Sequence, residues 1–397
     1  MPIPRRNVLI RGIQLFGAAL LPGTSFPLAR LYSRQDSLQS GDSSHHEELT
    51  WYSTRYLTAE MPLRGFDSWI TPTELFFVRN NLLMPDVALD RWRLRITGEV
   101  LRPIELTFQE LQQLRVERVT NTLECAGNGR AFFHPRIAGV PWLRGAVGNA
   151  VFSGPALRTL LERSGLKPTA RHVAFKGLDV VPQGAQEFIR SIPIGKALEP
   201  TTLVATQMNG AALTPEHGFP ARALVPGWIG SCSIKWLCEI RVLKDEFDGF
   251  YMSSAYRLPS GSSSSEPSRT QQSAAITSLV VKSVVAHPQD GATILVPRSG
   301  VVSVRGAAWA GDRAIQKVEV STDAGRSWHN ASLTDDPAKY SWRLWRYDWH
   351  PTQPGGYVLQ SRARDQEGRV QPLEPRWNQA GYLWNGIDQV HITVKSA

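Results

Sequence analysis

Cys125 stands in the run Thr-Asn-Thr-Leu-Glu-Cys-Ala-Gly-Asn-Gly-Arg at residues 120 to 130, and is one of only three cysteines in 397 residues. A strand-like run through Val116, Val119 and Leu123 leads into it, and Ala126, Gly127 and Gly129 follow. A thiol at a strand end with only small residues behind it leaves room for something large to approach the sulfur. Thiolate is a soft ligand and a strong nucleophile, so metal ligation, redox chemistry and covalent catalysis are open, beside the plainer alternative of an inert buried cysteine. Cys232 and Cys238 lie six residues apart in a β-like run. At about 3.3 Å per residue they would sit roughly 20 Å apart, beyond disulfide reach. No Cys-x-x-Cys occurs, so both read as core residues rather than zinc ligands.

Other side chains with chemical potential are scattered along the chain. Arg79 closes the apolar run Leu75-Phe-Phe-Val-Arg-Asn-Asn81, Arg130 follows Cys125 by five residues, and Asp179 ends Gly177-Leu-Asp. His217 opens His-Gly-Phe-Pro-Ala-Arg222, which continues to Val225-Pro-Gly227 and Lys235-Trp236. Trp142 lies in Gly139-Val-Pro-Trp and Tyr256 in Ser254-Ala-Tyr-Arg257. Each has a structural reading when taken alone: a snorkelling arginine, a satisfied core histidine, a packed tryptophan, a strand-end tyrosine.

The elements that must position these residues fall into two domains. A chain of this length exceeds one core. Residues 61–256 read as a mixed domain of alternating short strands and short helices. Trp92 to Thr97 alternates as a strand, Thr107-Phe-Gln-Glu110 is a capping box, and Leu157, Leu160 and Leu161 share a helical face ending at Gly165. There is no strict βαβ rhythm and no Gly-x-Gly-x-x-Gly loop, so the class is α+β rather than a nucleotide-binding Rossmann domain. Residues 257–275 contain Gly261 and a serine run, the composition of a linker. Residues 276–397 hold strand-sized apolar runs between Gly, Pro and Asp turns, the pattern of an all-β sandwich, with a hairpin expected at Asp323 to Gly325. Seven of the 13 tryptophans lie from Trp309 onward, more than one small core needs, which points some of them at an interface.

Leu123-Glu-Cys-Ala-Gly-Asn128 with Arg130 resembles the molybdenum-ligating cysteine segment of the sulfite oxidase family of molybdopterin enzymes, and three further stretches match that family in the same order. The resemblance covers roughly residues 60 to 397. It implies a molybdenum–molybdopterin cofactor with Cys125 as the protein's metal ligand. It also implies substrate-facing roles for Arg79, Arg130, Trp142 and Tyr256, and pterin-holding roles for His217, Arg222, Lys235 and Asp179. Asn81 stands where the eukaryotic pattern has histidine, at a cofactor contact. The C-terminal region takes the place of the family's immunoglobulin-like dimerisation domain, which implies a homodimer. Two arginines beside the metal would repel each other without an anion, and their forked donors match the oxygens of sulfite or sulfate.

The implied activity is oxidation of sulfite, or a related sulfur species, to sulfate by oxo transfer. Alternatives are a sulfane dehydrogenase acting on carrier-bound sulfur, a sulfoxide reductase of the same fold, and a dimeric binding or scaffold protein. No Cys-x-x-Cys-His haem attachment sequence is present, so electrons are expected to pass to an external c-type cytochrome. The formal net charge is +9 and 20% of residues are charged, a balance suited to an anionic substrate or an acidic partner. No basic run interleaves with aromatics as nucleic-acid binders require. Arg5-Arg6-Asn7-Val8-Leu9, followed by a short apolar stretch to Leu21, resembles a twin-arginine export signal over residues 1–30, which implies a periplasmic location. Ten apolar residues are too few to span a bilayer as a helix. Residues 31–60, with His45-His46-Glu47-Glu48, read as a polar linker.

Overall fold

The computed structural model describes residues 48–259, 273–334 and 338–396. The export-signal reading of residues 1–30, the paired histidines at 45 and 46, and the serine run after Pro259 lie outside the described residues.

The N-terminal unit is built on sheets. Val116–Glu124 pairs antiparallel with Val147–Pro155 along its whole length, from Val116 opposite Pro155 to Glu124 opposite Val147. The strand enters at an exposed Val116 and ends in four consecutive buried residues, Asn121 to Glu124. Its C-terminal end therefore delivers the next side chain, Cys125, into the interior. A second sheet runs in the order Ile104–Leu106, Leu94–Gly98, Leu237–Leu243, His172–Gly177, Ile189–Pro193, with Leu94–Gly98 and Leu237–Leu243 parallel. Helices are few. Phe108–Gln112 carries the expected capping box, with Thr107 Oγ1 accepting from Glu110 N and the Glu110 carboxylate accepting from Thr107 N. Leu157–Ser164 buries Leu157, Leu160 and Leu161 and stops at Gly165, φ 67°. The expected alternation of strand and helix is thus replaced by a sheet-rich unit, because most apolar runs between turns are too short to bury a helical stripe.

Two local expectations change. The end of the polar segment 31–60 is structured: Thr50–Ser53 and Thr58–Glu60 form a hairpin that pairs with Val78–Arg79. Its charge is accommodated because the buried Glu60 carboxylate accepts from the backbone of Leu143, Arg144 and Gly145 and from the Tyr52 hydroxyl. The run holding Cys232 and Cys238 is a short 3-10 turn, Gly230–Cys232, then a left-handed Trp236 (φ 50°), before the strand Leu237–Leu243 begins. Both cysteines are buried free thiols.

The C-terminal unit is all-β. Lys282–His287, Val302–Trp309, Arg343–Trp349 and Ser332–Leu333 form one sheet; Thr293–Leu295, Asp388–Lys395, Gly355–Asp365, Ile315–Ser321 and His329–Asn330 form the other. Val285, Val304, Val318, Leu359 and Val390 fill a shared core. The hairpin turn at Asp323 falls where expected, with Ala324 and Gly325 at positive φ and Asp323 accepting from the backbone and hydroxyl of Ser327.

The two units share a continuous core: Ile276, Leu279, Trp309 and Trp342 belong to the same apolar cluster as Phe66, Leu123 and Phe152. Tyr340 and Trp342 extend the sheet register, with Thr122 N donating to Tyr340 O (2.9 Å) and Trp342 N to Thr122 Oγ1 (2.8 Å). Arg144 pairs with Asp388 at 2.8 Å, and Asp388 also accepts from Val285 N. Deepest in the seam, Lys282 Nζ lies 2.7 Å from Glu124 Oε1, with both side chains almost wholly buried. Trp309 Nε1 donates to the other carboxylate oxygen at 2.8 Å and Asn128 Nδ2 to the first at 2.9 Å.

Removing one member of such a pair strands a charge in low dielectric. Lys282→Met is therefore expected to destabilise the protein by about 3–5 kcal/mol, and Lys282→Met with Glu124→Gln by clearly less. Urea denaturation of the two variants beside wild type measures both.

Candidate active site

Cys125 continues the ladder of its strand by one residue, donating its N–H to Ala146 O at 2.9 Å. A turn follows at once, closed by Asn128 N to Cys125 O (2.9 Å) and held open by the left-handed Gly129, φ 87°. The thiol is half-buried and opens on a cavity of about 710 Å³, part of it continuous with solvent. Gly230 passes close behind the peptide: a Cβ there would stand 3.2 Å from Glu124 O. The glycines after Cys125 serve a different purpose from the one their position implied. A Cβ at Gly127 would meet the Arg130 guanidinium at 2.5 Å, and one at Gly129 would meet the Trp384 ring at 2.7 Å. They make room for protein side chains behind the turn, and the space in front of the sulfur comes from elsewhere in the cavity.

One wall is set by Arg79, Asn81 and Tyr256. Arg79 ends the edge strand Val78–Arg79, and its Nη2 donates to Asn81 Oδ1 at 3.0 Å. The Tyr256 hydroxyl donates to the same oxygen at 3.2 Å. Asn81 therefore gathers the guanidinium and the phenol on one acceptor, a service that needs the amide oxygen and no titratable ring. Tyr256 is buried, and its backbone is left-handed, φ 54°, a conformation that costs a side-chain-bearing residue free energy. Burial pushes its phenol up to about 12; the positive charge of Arg79 acts in the opposite direction and Cys125 in the same one. At physiological pH Tyr256 is a neutral donor.

A second wall is basic, formed by Arg222 and Lys235. Arg222 opens the strand Arg222–Leu224; its terminal nitrogens donate to His217 O (3.0 Å) and Ser233 O (3.1 Å). Lys235 donates to Glu216 O at 2.7 Å and contacts Asn80 Oδ1. Burial lowers the Arg222 guanidinium to about 10 and pushes Lys235 well below the usual lysine range, the neighbouring Arg222 charge adding to that. Asp179 and Glu216 are the acidic groups acting on Lys235, and burial raises the Asp179 carboxyl to about 6 while Lys235 pulls it down. Gly177 lets it in: a Cβ there would stand 2.5 Å from Asp179 Oδ2. Arg222 Nε, Asn80 Nδ2 and Ser231 Oγ are buried at the lining with no hydrogen-bond partner among the described residues.

A cavity with two enclosed cations and three unspent polar atoms is suited to an anionic, hydrogen-bonding guest such as a phosphorylated pterin. Among the described residues no cluster of three His, Cys, Asp or Glu side chains could hold a metal ion. A metal at Cys125 would thus need further ligands carried in by a cofactor. Both observations fit a metal–pterin group held by Cys125, Arg222, Lys235 and their neighbours.

Eight of the residues singled out from sequence line this cavity: Arg79, Asn81, Cys125, Asp179, His217, Arg222, Lys235 and Tyr256. His217 presents a ring packed edge-on to Phe76 and fixes Arg222 through its carbonyl. Arg130 and Trp142 are not among the lining residues. Arg130 turns behind the cysteine loop, where Nη1 donates to Val140 O (3.0 Å) and Nε to Ala380 O (3.3 Å). Trp142 is fully buried and edge-on to Tyr52 at 5.2 Å, so it packs the core. The expected pair of substrate-facing arginines reduces to Arg79 on the cysteine side. Sequence reading missed Asn80, Ser231 and Ser233, ordinary polar residues whose only signal was adjacency to Arg79 or to Cys232. It also missed Glu124, the carboxylate that ends the strand Val116–Glu124.

Two family profiles match the chain: "Oxidoreductase molybdopterin binding domain" over residues 81–251 and "Mo-co oxidoreductase dimerisation domain" over residues 273–395. Together they define a molybdopterin-dependent oxidoreductase with an appended dimerisation domain. The chain is 34% identical over 371 residues to the mitochondrial sulfite oxidase of Rattus norvegicus, spanning 89% of this chain and 67% of that protein. It is 36% identical over 361 residues to the sulfite oxidase of Gallus gallus, spanning 87% and 78%. The crystal structure of the sulfane dehydrogenase SoxCD from Paracoccus pantotrophus is similar with a TM-score of 0.73 and 25% identity, over 92% of this chain and 96% of that one. The chain belongs to the sulfite oxidase family of molybdopterin enzymes.

The raised Asp179 carboxyl has a consequence for pH. A carboxyl that ionises less readily in the folded than in the unfolded chain contributes stability below its unfolded value of 3.8, and that contribution is lost as pH rises through about 6. Cofactor-free protein is expected to lose up to roughly 3 kcal/mol on this account between pH 4 and pH 7. Asp179→Asn should remove that part of the slope in parallel denaturation series.

Proposed function

We propose that this enzyme oxidises sulfite, or a closely related sulfur species, and passes the electrons one at a time to an external c-type cytochrome. The observation that carries the reading is that Cys125, the Arg79–Asn81–Tyr256 cluster and the basic pair Arg222 and Lys235 line one cavity. The molybdenum–pterin group, when bound, supplies the two-electron oxygen-atom transfer; sulfite and water become sulfate, two protons and two electrons. Everything else falls to the chain. Cys125 provides the protein's ligand, and Arg222, Lys235, Asn80 and Ser231 receive the anionic end of the pterin. Arg79 offsets the charge of an oxyanion, and Tyr256, protonated at neutral pH, donates a hydrogen bond to the same oxygens. Asn81 keeps these two donors aimed together.

The basic surface favours an acidic docking face on the acceptor, and reduction should slow as salt rises. The C-terminal unit matches a dimerisation domain, which supports a homodimer, and its two sets of strands suit an immunoglobulin-like second domain. The paired arginines at positions 5 and 6 support twin-arginine export to the periplasm, a route that carries folded, cofactor-loaded proteins.

A second reading, oxidation of sulfane sulfur held on a carrier, is favoured by two observations. The chain resembles a sulfane dehydrogenase along nearly its whole length. Arg130 is also engaged behind the loop, so the cysteine side of the cavity offers a single guanidinium. Molybdenum per chain and cytochrome c reduction, measured with free sulfite and with carrier-bound persulfide, separate the two. Sulfite-dependent reduction that is lost in Cys125→Ala supports the first reading. Turnover only with the carrier supports the second, and stoichiometric molybdenum without turnover on any sulfur donor contradicts both. Tyr256→Phe is expected to lower kcat/KM by about 10²-fold, the size of one positioned donor, with molybdenum content unchanged.

A further inference from the structure

We infer that the C-terminal unit contributes a positioning residue to the active site, Tyr382, which fixes the Tyr256 phenol through a column of four stacked side chains. The two phenol rings lie 10° from parallel with centroids 5.3 Å apart. Each has a guanidinium over its ring: Arg190 at 5.1 Å from the Tyr256 centroid, Arg130 at 5.7 Å from that of Tyr382. In the inferred column the order is Arg190, Tyr256, Tyr382, Arg130. Ring faces are electron-rich, and cations at both ends of a stacked pair attract it from either side.

Every layer is anchored. Arg190 is buried and bonded to Ile276 O at 3.1 Å and to Tyr251 O. Arg130 holds Val140 O and Ala380 O. The loop carrying Tyr382 is closed by Asn378 Oδ1, which accepts from Tyr382 N at 2.9 Å. It is also tied to the cysteine turn, where Leu383 N donates to Ala126 O at 2.8 Å. Tyr256 needs such support. Its backbone is left-handed, and among the described residues its hydroxyl donates one hydrogen bond, a 3.2 Å contact with Asn81. A flat ring pressed between Arg190 and Tyr382 has little freedom to swing, so its hydroxyl stays beside Arg79 and faces the cavity. Without the Tyr382 ring, the phenol gains space on its outer face and leaves Asn81. The same geometry gives Arg130 its role in the column, which it caps from outside.

This inference rests on the reading of Tyr256 as a substrate-facing donor, and the experiment separates the two. Molybdenum-loaded wild type, Tyr382→Leu, Tyr256→Phe and the double variant are compared for kcat, KM for sulfite, and the dissociation constant of sulfate by calorimetry. Molybdenum per chain and Tm serve as controls. The column predicts that Tyr382→Leu raises KM and the sulfate dissociation constant tenfold or more while kcat changes less, and that in the Tyr256→Phe background the same substitution costs less than twofold. A purely structural role would lower Tm and leave KM and the sulfate dissociation constant as they are, or raise them equally in both backgrounds; either result overturns the inference. If Tyr256→Phe itself matches wild type, the reading of Tyr256 fails and the inference with it. Should Tyr382→Leu not take up molybdenum, Arg130→Met decides. A threefold or larger rise in KM that vanishes in Tyr256→Phe supports the column, and an unchanged KM overturns it.

Discussion

Glu124 and Lys282 form the contact on which the rest of the architecture depends. The carboxylate ends the strand that delivers Cys125, and the ammonium comes from the first strand of the C-terminal sheet containing Lys282–His287. Burying two charges is costly unless every donor and acceptor is used. Here Trp309 and Asn128 complete the carboxylate, while Lys282 also reaches Asn128 O at 3.3 Å and lies near the Trp309 and Trp384 rings. A residue one position from the proposed metal ligand is thus clamped by a group 158 positions away in sequence. The cysteine loop has little freedom to drift, because moving it would expose a buried ion pair. The two units therefore act as one body around the site.

The two walls of the cavity are prepared differently. Around Arg79, Asn81 and Tyr256 the polar groups are satisfied by one another, so this wall is set before any guest arrives. Around Arg222 and Lys235 positive charge is enclosed and hydrogen-bonding capacity is left over. An anion that fills it would use those donors, which couples cofactor binding to the stability of this region. Two non-glycine residues of the lining, Trp236 and Tyr256, have left-handed backbones, a cost the surrounding packing must offset.

Much of the site was legible in the chain because its residues sit in contiguous runs with distinctive spacing. Cys125 after a β-like run, Arg79 at the end of an apolar one, and the segment from His217 to Lys235 carried the cavity almost entire. The capping box at Thr107 and the helix ending at Gly165 were legible for the same reason, being local. Long-range pairings were not. That Arg130 would bond to Ala380 and stack on Tyr382, 250 residues on, has no trace in the letters around it, and five-residue proximity to Cys125 pointed it into the cavity instead. Trp142 was open to either role from its neighbours, and only its burial beside Tyr52 decided. Glu60 and Glu124 illustrate the same limit: a carboxylate reads as surface until the backbone amides or the lysine that satisfy it are seen. The strands between 50 and 60 were hidden by the polar composition in which they are embedded.

The central claim is that the sulfur of Cys125 is bound to molybdenum, and molybdenum K-edge X-ray absorption of the loaded protein tests it most directly. The account predicts that Cys125→Ser, with molybdenum retained, loses one sulfur scatterer from the metal's inner shell relative to wild type. Identical sulfur shells in the two proteins would contradict it.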